Sequence, residues 1–530
     1  MIGRKPMHTE FRTLPSLIRE HALASPQRAA LVVGQRSMDY AALDQRMDQV
    51  AAALAANAMR AGESIAICAS TSIDYAAVFL GALRAGVVVA PLSPSSTPQG
   101  LARMIDDAQA RLLFTDADCA SLVAQAQALN ADPTRCVSLD DSNSGESLSG
   151  WLAVPAKDAA VPEAADVTPQ SAFNIIYSSG TTGEPKGIVQ SHGMRWAHIQ
   201  RGVTYGYGGD TVTLLSTPLY SNTTLVVFIP TLAYGGTVAL MPKFEAGDYL
   251  KLAQSLRVTH TMLVPVQYQR LLARPDFDAF DLSSFKIKFC TSAPFAASLK
   301  ADVLLRWPGG LVEFYGMTEG GGTCILEAHL HPGKLHTVGR PALNHDIRLI
   351  DEAGHEVGPL EAGEVVGHSA SMMTGYHGQP AKTREAEWFD ATGKRFIRTG
   401  DVGRFDAEGF LTLFDRRKDM IISGGFNIYP SDLEAVLVAH PEVLEVAVVG
   451  VPSEAWGETP VAFVVRKAGV SPGQPDSGPD NAARVMAWAN GQLGRTQRIS
   501  AVLWVDELPR SAIGKVLKRS LRDRYAAAGK

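Results

Sequence analysis

The chain is poor in cysteine and has none where cysteine chemistry would need it. Cys68, Cys119, Cys136, Cys290 and Cys324 are scattered through 530 residues, with no CxxC pair and no metal-ligand spacing. That pattern excludes a disulfide framework and a zinc site and points to a reducing compartment. Long apolar runs are missing as well. None approaches the roughly 18 residues that a membrane helix needs, so no integral membrane segment is expected. The opening stretch, MIGRKPMHTEFRTLP, has basic residues but no apolar core for a secretory signal. The closing YAAAGK has no lipidation or peroxisomal pattern. Nor is there an excess of positive charge: 49 Lys and Arg face 54 Asp and Glu, a net charge of −5. Nucleic acid and anionic membrane are therefore not expected as main partners. The expectation is a cytoplasmic protein, with a homodimer left open.

What is present is an ordinary globular composition, 46% hydrophobic and 19% charged. At this length two or more domains are expected. The first half alternates helical and strand patterns. Leu43, Met47, Val50 and Leu54 fall on one helical face. SIAICA (64–69) reads as a buried strand, DYAAVFLGALRAG (74–86) as a helix and VVVAPL (87–92) as a strand. The alternation continues through LARMIDDAQA (101–110) and RLLFTD (111–116), and returns as DYLKLAQSL (248–256), HTMLVP (260–265) and KIKFCT (286–291). Helices between short Val/Ile/Leu-rich strands predict an α/β fold with parallel-rich sheets. Later, 351–369 and 404–415 read as β-hairpins with Gly turns, and RRKDM (416–420) is a charged break. Beyond it comes a short α+β pattern, in which Ser431 and Glu434 have capping-box spacing. The expected organisation is a large domain over 1–415, with a β-barrel-like part, a hinge at 416–420 and a small mobile domain over 421–530.

One stretch stands out for chemistry. YSSGTTGEPKG (177–187) holds two Ser, two Thr, three Gly and one Lys in eleven residues. The commonest phosphate loop runs GxxxxGK followed by Ser or Thr, with its Lys at a helix start. Here Gly180, Gly183 and Lys186 give a different spacing, and Pro185 and Gly187 disfavour a helix. The flanks, 173–177 and 187–190, look like strands. Gly still lets backbone N–H groups converge on phosphate oxygens. Ser178, Ser179, Thr181 and Thr182 add hydroxyls, and Lys186 adds charge. A plain polar hairpin turn is about a one-in-ten alternative.

Three further clusters are weak singly. EFYGMTEGGG (313–322) offers Thr318 to a phosphate and Glu319 to Mg²⁺, a hard cation that takes oxygen ligands. IRTGDVGRF (397–405) places Asp401 after a Gly turn, where a carboxylate could accept ribose hydroxyls, although turn residue is the commoner role. LPRSAIGKVLKRSLRD (508–523) carries Lys515 on a basic segment, where most lysines are simply solvated.

Together, YSSGTTGEPKG, YGMTE, RTGD, DRRKDMIISGGFNIYP and PRSAIGK occur in one order that resembles the adenylate-forming superfamily, which holds acyl-CoA synthetases, luciferase and the adenylation domains of peptide synthetases. The likeness runs from about residue 15 to 523, and 417–434 looks most like the acyl-CoA ligase branch. The resemblance implies a carboxylic acid joined to AMP with release of pyrophosphate, then acyl transfer to a thiol, with ATP, Mg²⁺ and coenzyme A taking part. It implies that Ser178, Ser179, Gly180, Thr181, Thr182, Gly183 and Lys186 handle the ATP phosphates. Thr318 would touch the α-phosphate, and Glu319 with Thr182 would attend Mg²⁺. Asp401 and Arg416 would hold the ribose. Ser292, Ala293 and Pro294 with Glu313, Phe314, Tyr315 and Gly316 would wall the adenine. Lys515 would stabilise the adenylation transition state, where two anions meet. Lys418 matches the hinge about which the family's small domain turns between half-reactions. Gly424, Gly425 and Phe426 would then flank the pantetheine arm.

The acyl pocket is less clear. Trp196, Tyr220, Ser221, Asn222, Thr223 and Thr323 are candidates to line it, with packing the commoner role for Trp196. Ser221 stands where many relatives carry His. Gly320, Gly321 and Gly322 are small and would leave that wall open. No Arg stands obviously placed for a second carboxylate, so the expectation is an aromatic, cyclic or fatty monocarboxylate. The alternatives are an enzyme that loads a separate carrier-protein thiol and a catalytically silent nucleotide-binding relative. A P-loop kinase is disfavoured by the spacing.

Overall fold

A computed structural model describes residues 10–142, 145–153, 166–178, 185–416, 419–423, 426–467, 480–494, 497–511 and 514–528. The chain divides into two compact units, one of residues 1–347 and 366–398, the other of 348–365 and 399–530. Residues 399–415, which the sequence grouped with the large domain, therefore count with the second unit.

The first unit is built on two parallel-rich sheets. One has nine strands, in the order Arg340–Pro341, Cys324–Glu327, Gly310–Tyr315, Ile287–Cys290, His260–Leu263, Val212–Leu215, Thr237–Leu240, Ala29–Val33 and Arg36–Asp39. The other has eight: Gly375–Tyr376, Lys186–Ser191, Ala172–Ser178, Val88–Pro91, Ser64–Cys68, Ala110–Thr115, Arg135–Ser138 and Glu146–Ser147. The alternation read from sequence is this architecture, since helices between parallel strands cover the faces and bury the strands on both sides. SIAIC (64–68) is buried at every position. Helix Ile73–Arg84 buries ten of its twelve residues, which explains a pattern apolar all round. It packs on helix Tyr40–Ala56, whose Leu43, Met47, Val50 and Leu54 are all buried. Gly81 permits the approach: a Cβ there would meet Val50 Cβ at 2.5 Å.

The second unit centres on the antiparallel pair Val443–Ser453 and Gly457–Arg466, with Ala501–Trp504 parallel to the latter. Ile421–Ser423 and Phe426–Ile428 form a small hairpin on the same sheet. Its core gathers Ile421, Leu433, Leu437, Val448, Val464 and Val485. In the same unit Leu411–Arg416 pairs antiparallel with residues 401–405. In the first unit Glu387–Phe389 pairs with residues 395–397. These antiparallel pairs stand where a barrel-like part was expected. One local expectation is corrected. Ser431 and Glu434 do not form a capping box, because helix Pro430–Val438 starts two residues earlier than that box needs, with Tyr429 as the N-cap. The Ser431 hydroxyl donates instead to the Phe414 carbonyl, and Glu434 accepts from Val448 N at 2.8 Å.

Gly81→Val should cost about 1–3 kcal/mol by overpacking the helix pair. A fall in the urea unfolding midpoint, with no change in the slope, is the expected reading.

Candidate active site

The site starts from a two-stranded stalk. Ala172–Ser178 and Lys186–Ser191 are antiparallel neighbours, with Tyr177 opposite Gly187 and Ser178 opposite Lys186. The glycine-rich segment is thus a strand-to-strand connection, as Pro185 and Gly187 implied. Ser179, Gly180, Thr181, Thr182 and Gly183, and the side chain of Ser178, lie outside the described residues. The base of the stalk is braced by a residue the sequence did not flag. Asp107, at the end of helix Pro98–Asp107, accepts from the Tyr177 hydroxyl at 2.6 Å and from Gln379 Nε2 at 3.2 Å.

Lys186 then meets the TEGGG segment through a third strand. Gly375–Tyr376 pairs with Lys186–Ser191, setting Tyr376 opposite Ile188. The ammonium of Lys186 lies 5.2 Å from the Tyr376 ring centroid. The Tyr376 hydroxyl donates to Glu319 Oε1 at 2.9 Å, leaving Oε2 without a partner among the described residues. Burial and the Glu319 carboxylate push the phenol pKa up, so Tyr376 stays a donor. One aromatic ring thus takes a cation on its face and a carboxylate at its hydroxyl. A carboxylate with an open oxygen suits a hard cation such as Mg²⁺. Among the described residues no three His, Cys, Asp or Glu group into a metal site, so any such ion would depend on ligand oxygens as well.

Thr318 is held from beneath by a buried polar network. Arg195, on helix His192–Arg201, is fully buried at 1% exposure. Its Nε and Nη2 donate to Asn174 Oδ1 at 3.1 and 2.9 Å, its Nη1 to Asn222 Oδ1 at 2.9 Å, and Nη2 also to Gln190 Oε1. Gln190 Nε2 donates to the Thr318 carbonyl at 2.7 Å. Among the described residues the guanidinium touches no carboxylate, and burial pushes its pKa down to about 9. It also lies over the Phe173 ring at 5.6 Å.

The segments matched to the adenine walls are tied together. Thr291 Oγ1 donates to the Phe314 carbonyl at 2.8 Å, and Ser292 Oγ is 2.6 Å from Thr223 Oγ1. Ser292 has φ +82°, a left-handed conformation that costs energy for a non-glycine residue and gathers at functional sites. Ala293 and Pro294 follow on the same loop, half-buried and exposed; Tyr315 ends the neighbouring strand half-buried, and Gly316 follows it, exposed. Glu313 is different. It is buried in an ion pair with Lys300 at 2.5 Å, and burial pushes its carboxyl pKa up to about 7. Its side chain is engaged in holding helix Ala297–Arg306 to the sheet.

The acyl-pocket candidates separate by role. Ser221 is the N-cap of helix Asn222–Ala233, its hydroxyl accepting from Thr223 N at 3.2 Å. Trp196 is buried edge-on to Phe11. Asn222 belongs to the Arg195 network, and Tyr220 is partly buried beside Ser93 and Ser95. The glycines are small for backbone packing rather than for an open wall. A Cβ on Gly320 would stand 1.7 Å from the Ser371 carbonyl, and one on Gly322 2.5 Å from Ile347 Cγ1. A Cβ on Gly321 would stand 2.9 Å from the Gly367 carbonyl. Thr323 N donates to His345 Nδ1 at 2.9 Å.

The remaining candidates lie in the second unit. Asp401 sits opposite Arg416 across an antiparallel pair, so the two ribose candidates share one register position. Gly400, at φ +71°, turns the chain into it. Lys515 ends a tight turn: Ser511 N donates to its carbonyl at 2.8 Å, and its own N–H donates to Ser511 Oγ at 3.2 Å. Arg510 braces this turn, donating to the Gly514 carbonyl at 2.9 Å and to Glu445 at 2.7 Å. Lys418, Gly424 and Gly425 lie outside the described residues. Phe426 is placed only by its backbone, opposite Ser423.

The sequence reading missed Asp107, Gln190, Arg195, Tyr376 and Arg510. Arg510 lay inside a quoted motif, and Gln190 and Arg195 just beyond another. Asp107 and Tyr376 gave no sequence signal.

Comparison with known proteins agrees over the whole chain. The profile of the AMP-binding enzyme family matches residues 18–377, and that of the AMP-binding enzyme C-terminal domain matches 432–515. An indoleacetate–CoA ligase of Aromatoleum aromaticum is 32% identical, covering 97% of this chain and 98% of its own. A fatty acid–[acyl-carrier-protein] ligase, ScoC, of Streptomyces coeruleorubidus is 30% identical, covering 98% of this chain and 97% of its own. The crystal structure of ATP-bound MatB from Rhodopseudomonas palustris is 29% identical with a TM-score of 0.84, covering 98% of this chain and all of that one.

Acid should loosen the first unit. Burial holds His192 neutral, its pKa pushed down to about 4, and His345 is likewise pushed down to about 4. The unfolded chain takes up these protons near pH 6.5, the folded chain only near 4. Stability is therefore full above pH 6.5 and falls as pH drops toward 4, by at most about 3 kcal/mol for His192. Urea midpoints measured across that range should fall, and His192→Gln should flatten the profile.

Proposed function

The chain belongs to the AMP-binding enzyme family, and from that premise we infer that it is an AMP-forming acid–thiol ligase. A carboxylic acid attacks the α-phosphorus of ATP, pyrophosphate leaves, and the acyl group passes from AMP to the sulfur of coenzyme A. The observation that carries this reading is the pairing of Lys186 and Glu319 through Tyr376 beside the glycine-rich connection. It sets a cation and a carboxylate of opposite use, one for phosphate and one for metal, within a single side chain's reach.

Attack of a carboxylate on a triphosphate brings like charges together, so the residues in play offset or orient charge. In this proposal Lys186 steadies the leaving phosphates, with Ser178, Ser179, Thr181 and Thr182 as hydroxyl donors. Thr318, fixed by Gln190 through its carbonyl, meets the α-phosphate. Glu319 would hold Mg²⁺ together with the Thr182 hydroxyl, and the ion would screen the phosphates. Asp401 and Arg416 grip the ribose, and Lys515 offsets the charge that develops at the α-phosphorus. Lys418 is the proposed hinge, within 416–420 between the parts 1–415 and 421–530, and Gly424, Gly425 and Phe426 the proposed edge of the pantetheine path. A cytoplasmic location is part of the proposal.

A carrier-protein thiol is the second acceptor to consider, favoured by the similarity to ScoC. The acid is taken as aromatic, cyclic or fatty.

Acid-dependent ATP–pyrophosphate exchange, and AMP release that requires CoA, test the reading. AMP release without a thioester would remove CoA as the acceptor. Lys515→Ala should lower exchange roughly 100- to 1,000-fold while ATP binding by calorimetry persists. Near-normal exchange in that variant would take the chemistry away from Lys515.

A further inference from the structure

Helix His192–Arg201 carries a second cationic pole that the adenylation chemistry does not use. His198 and Arg201 follow Arg195 at three-residue steps, so all three leave one side of the helix. His198 is 93% buried, the complement of its 7% exposure, and its Nδ1 has no hydrogen-bond partner. Arg201 is half-buried, and burial pushes its pKa down. Its guanidinium lies 5.2 Å from the Phe314 ring centroid. No ion pair joins Arg201 to a carboxylate among the described residues. The groups that bear on it are the Tyr205 and Tyr207 hydroxyls. Glu327 acts on Tyr205 but forms no ion pair with Arg201. His345 completes the group. Its Nδ1 accepts from Thr323 N, so a neutral ring carries its proton on Nε2 and has a donor to offer. Burial, and then the charges of Arg201, Arg195 and His345, push the His198 pKa down. Thr323, which His345 holds, adjoins Cys324, and Cys324 pairs with Tyr315 next to Phe314.

A half-buried guanidinium with no carboxylate beside it among the described residues is a ready partner for an anion. Phe314 and Thr323 flank the pole, and both belong to the segments beside Thr318 and Glu319. Building on the acid–ligase reading, we propose that Arg201, with His198 and His345, binds a second carboxylate on the acid substrate, so that the enzyme adenylates a dicarboxylic acid. This replaces the single-carboxylate expectation, which rested on seeing no suitable Arg in the sequence.

The test is ATP–pyrophosphate exchange with matched acids. Straight-chain dicarboxylates from butanedioate to decanedioate are compared with monoacids of equal length, and para-carboxyphenylpropionate with its unsubstituted and para-hydroxy forms. The wild type should favour the diacids in kcat/KM. Arg201→Met should lower the diacid-to-monoacid ratio roughly 30- to 1,000-fold, chiefly through KM, with Arg201→Lys between. Arg201→Met should also melt no lower than wild type without substrate, since it removes a half-buried charge that no carboxylate among the described residues offsets. Exchange favouring monoacids or the hydroxy form, or an unaltered ratio in Arg201→Met, overturns the second-carboxylate site while the ligase reading stands. Exchange with none of the acids overturns the ligase reading and this inference with it.

Discussion

Much of the first unit turns on one buried charge. Arg195 sits among Asn174, Gln190 and Asn222, with amide oxygens in place of carboxylates. Each partner comes from a different element: a sheet strand, its antiparallel neighbour and the first turn of helix Asn222–Ala233. Removing any one would strand a donor or acceptor in the interior, at about 1–3 kcal/mol. Because the charge has no counter-ion among the described residues, the network also leaves net positive potential beneath Thr318, a field that would favour the phosphates proposed to bind there.

Local order and chemistry could be read from sequence because they are local properties. Strand-to-strand geometry at YSSGTTGEPKG followed from Pro185 and Gly187, and the parallel sheets followed from alternation. The family likeness rested on ordered motifs, and the profile matches over 18–377 and 432–515 agree with it. Tertiary relations were not legible. Tyr376 reaches Glu319 across 57 positions, and Asp107 reaches Tyr177 across 70. No local pattern encodes such contacts. The Ser431 spacing failed for a related reason: Pro430 fixes the first helical position, which leaves Ser431 inside the helix.

The glycines of TEGGG show how one composition serves two readings. Small residues after Glu319 suggested room for an acyl group. Gly320 and Gly322 instead admit the backbone of residues 367–371 and the side chain of Ile347. The smallness locks Glu319 in place, as does the hydrogen bond from Met373 N to the Glu319 carbonyl at 2.7 Å. Selectivity for the acid must then come from side chains on neighbouring elements, and the His192–Arg201 helix supplies polar ones.

The antiparallel stalk has a consequence for how such a chain can vary over time. Lys186 and Gln190 are four positions apart on one strand and so share a face. An insertion among residues 179–184 lengthens only the connection and leaves this strand's register intact. A single insertion between Lys186 and Gln190 would turn one of them to the opposite face. Register therefore fixes length on the strand side of Pro185, and on the other side only the phosphate contacts proposed for that connection do.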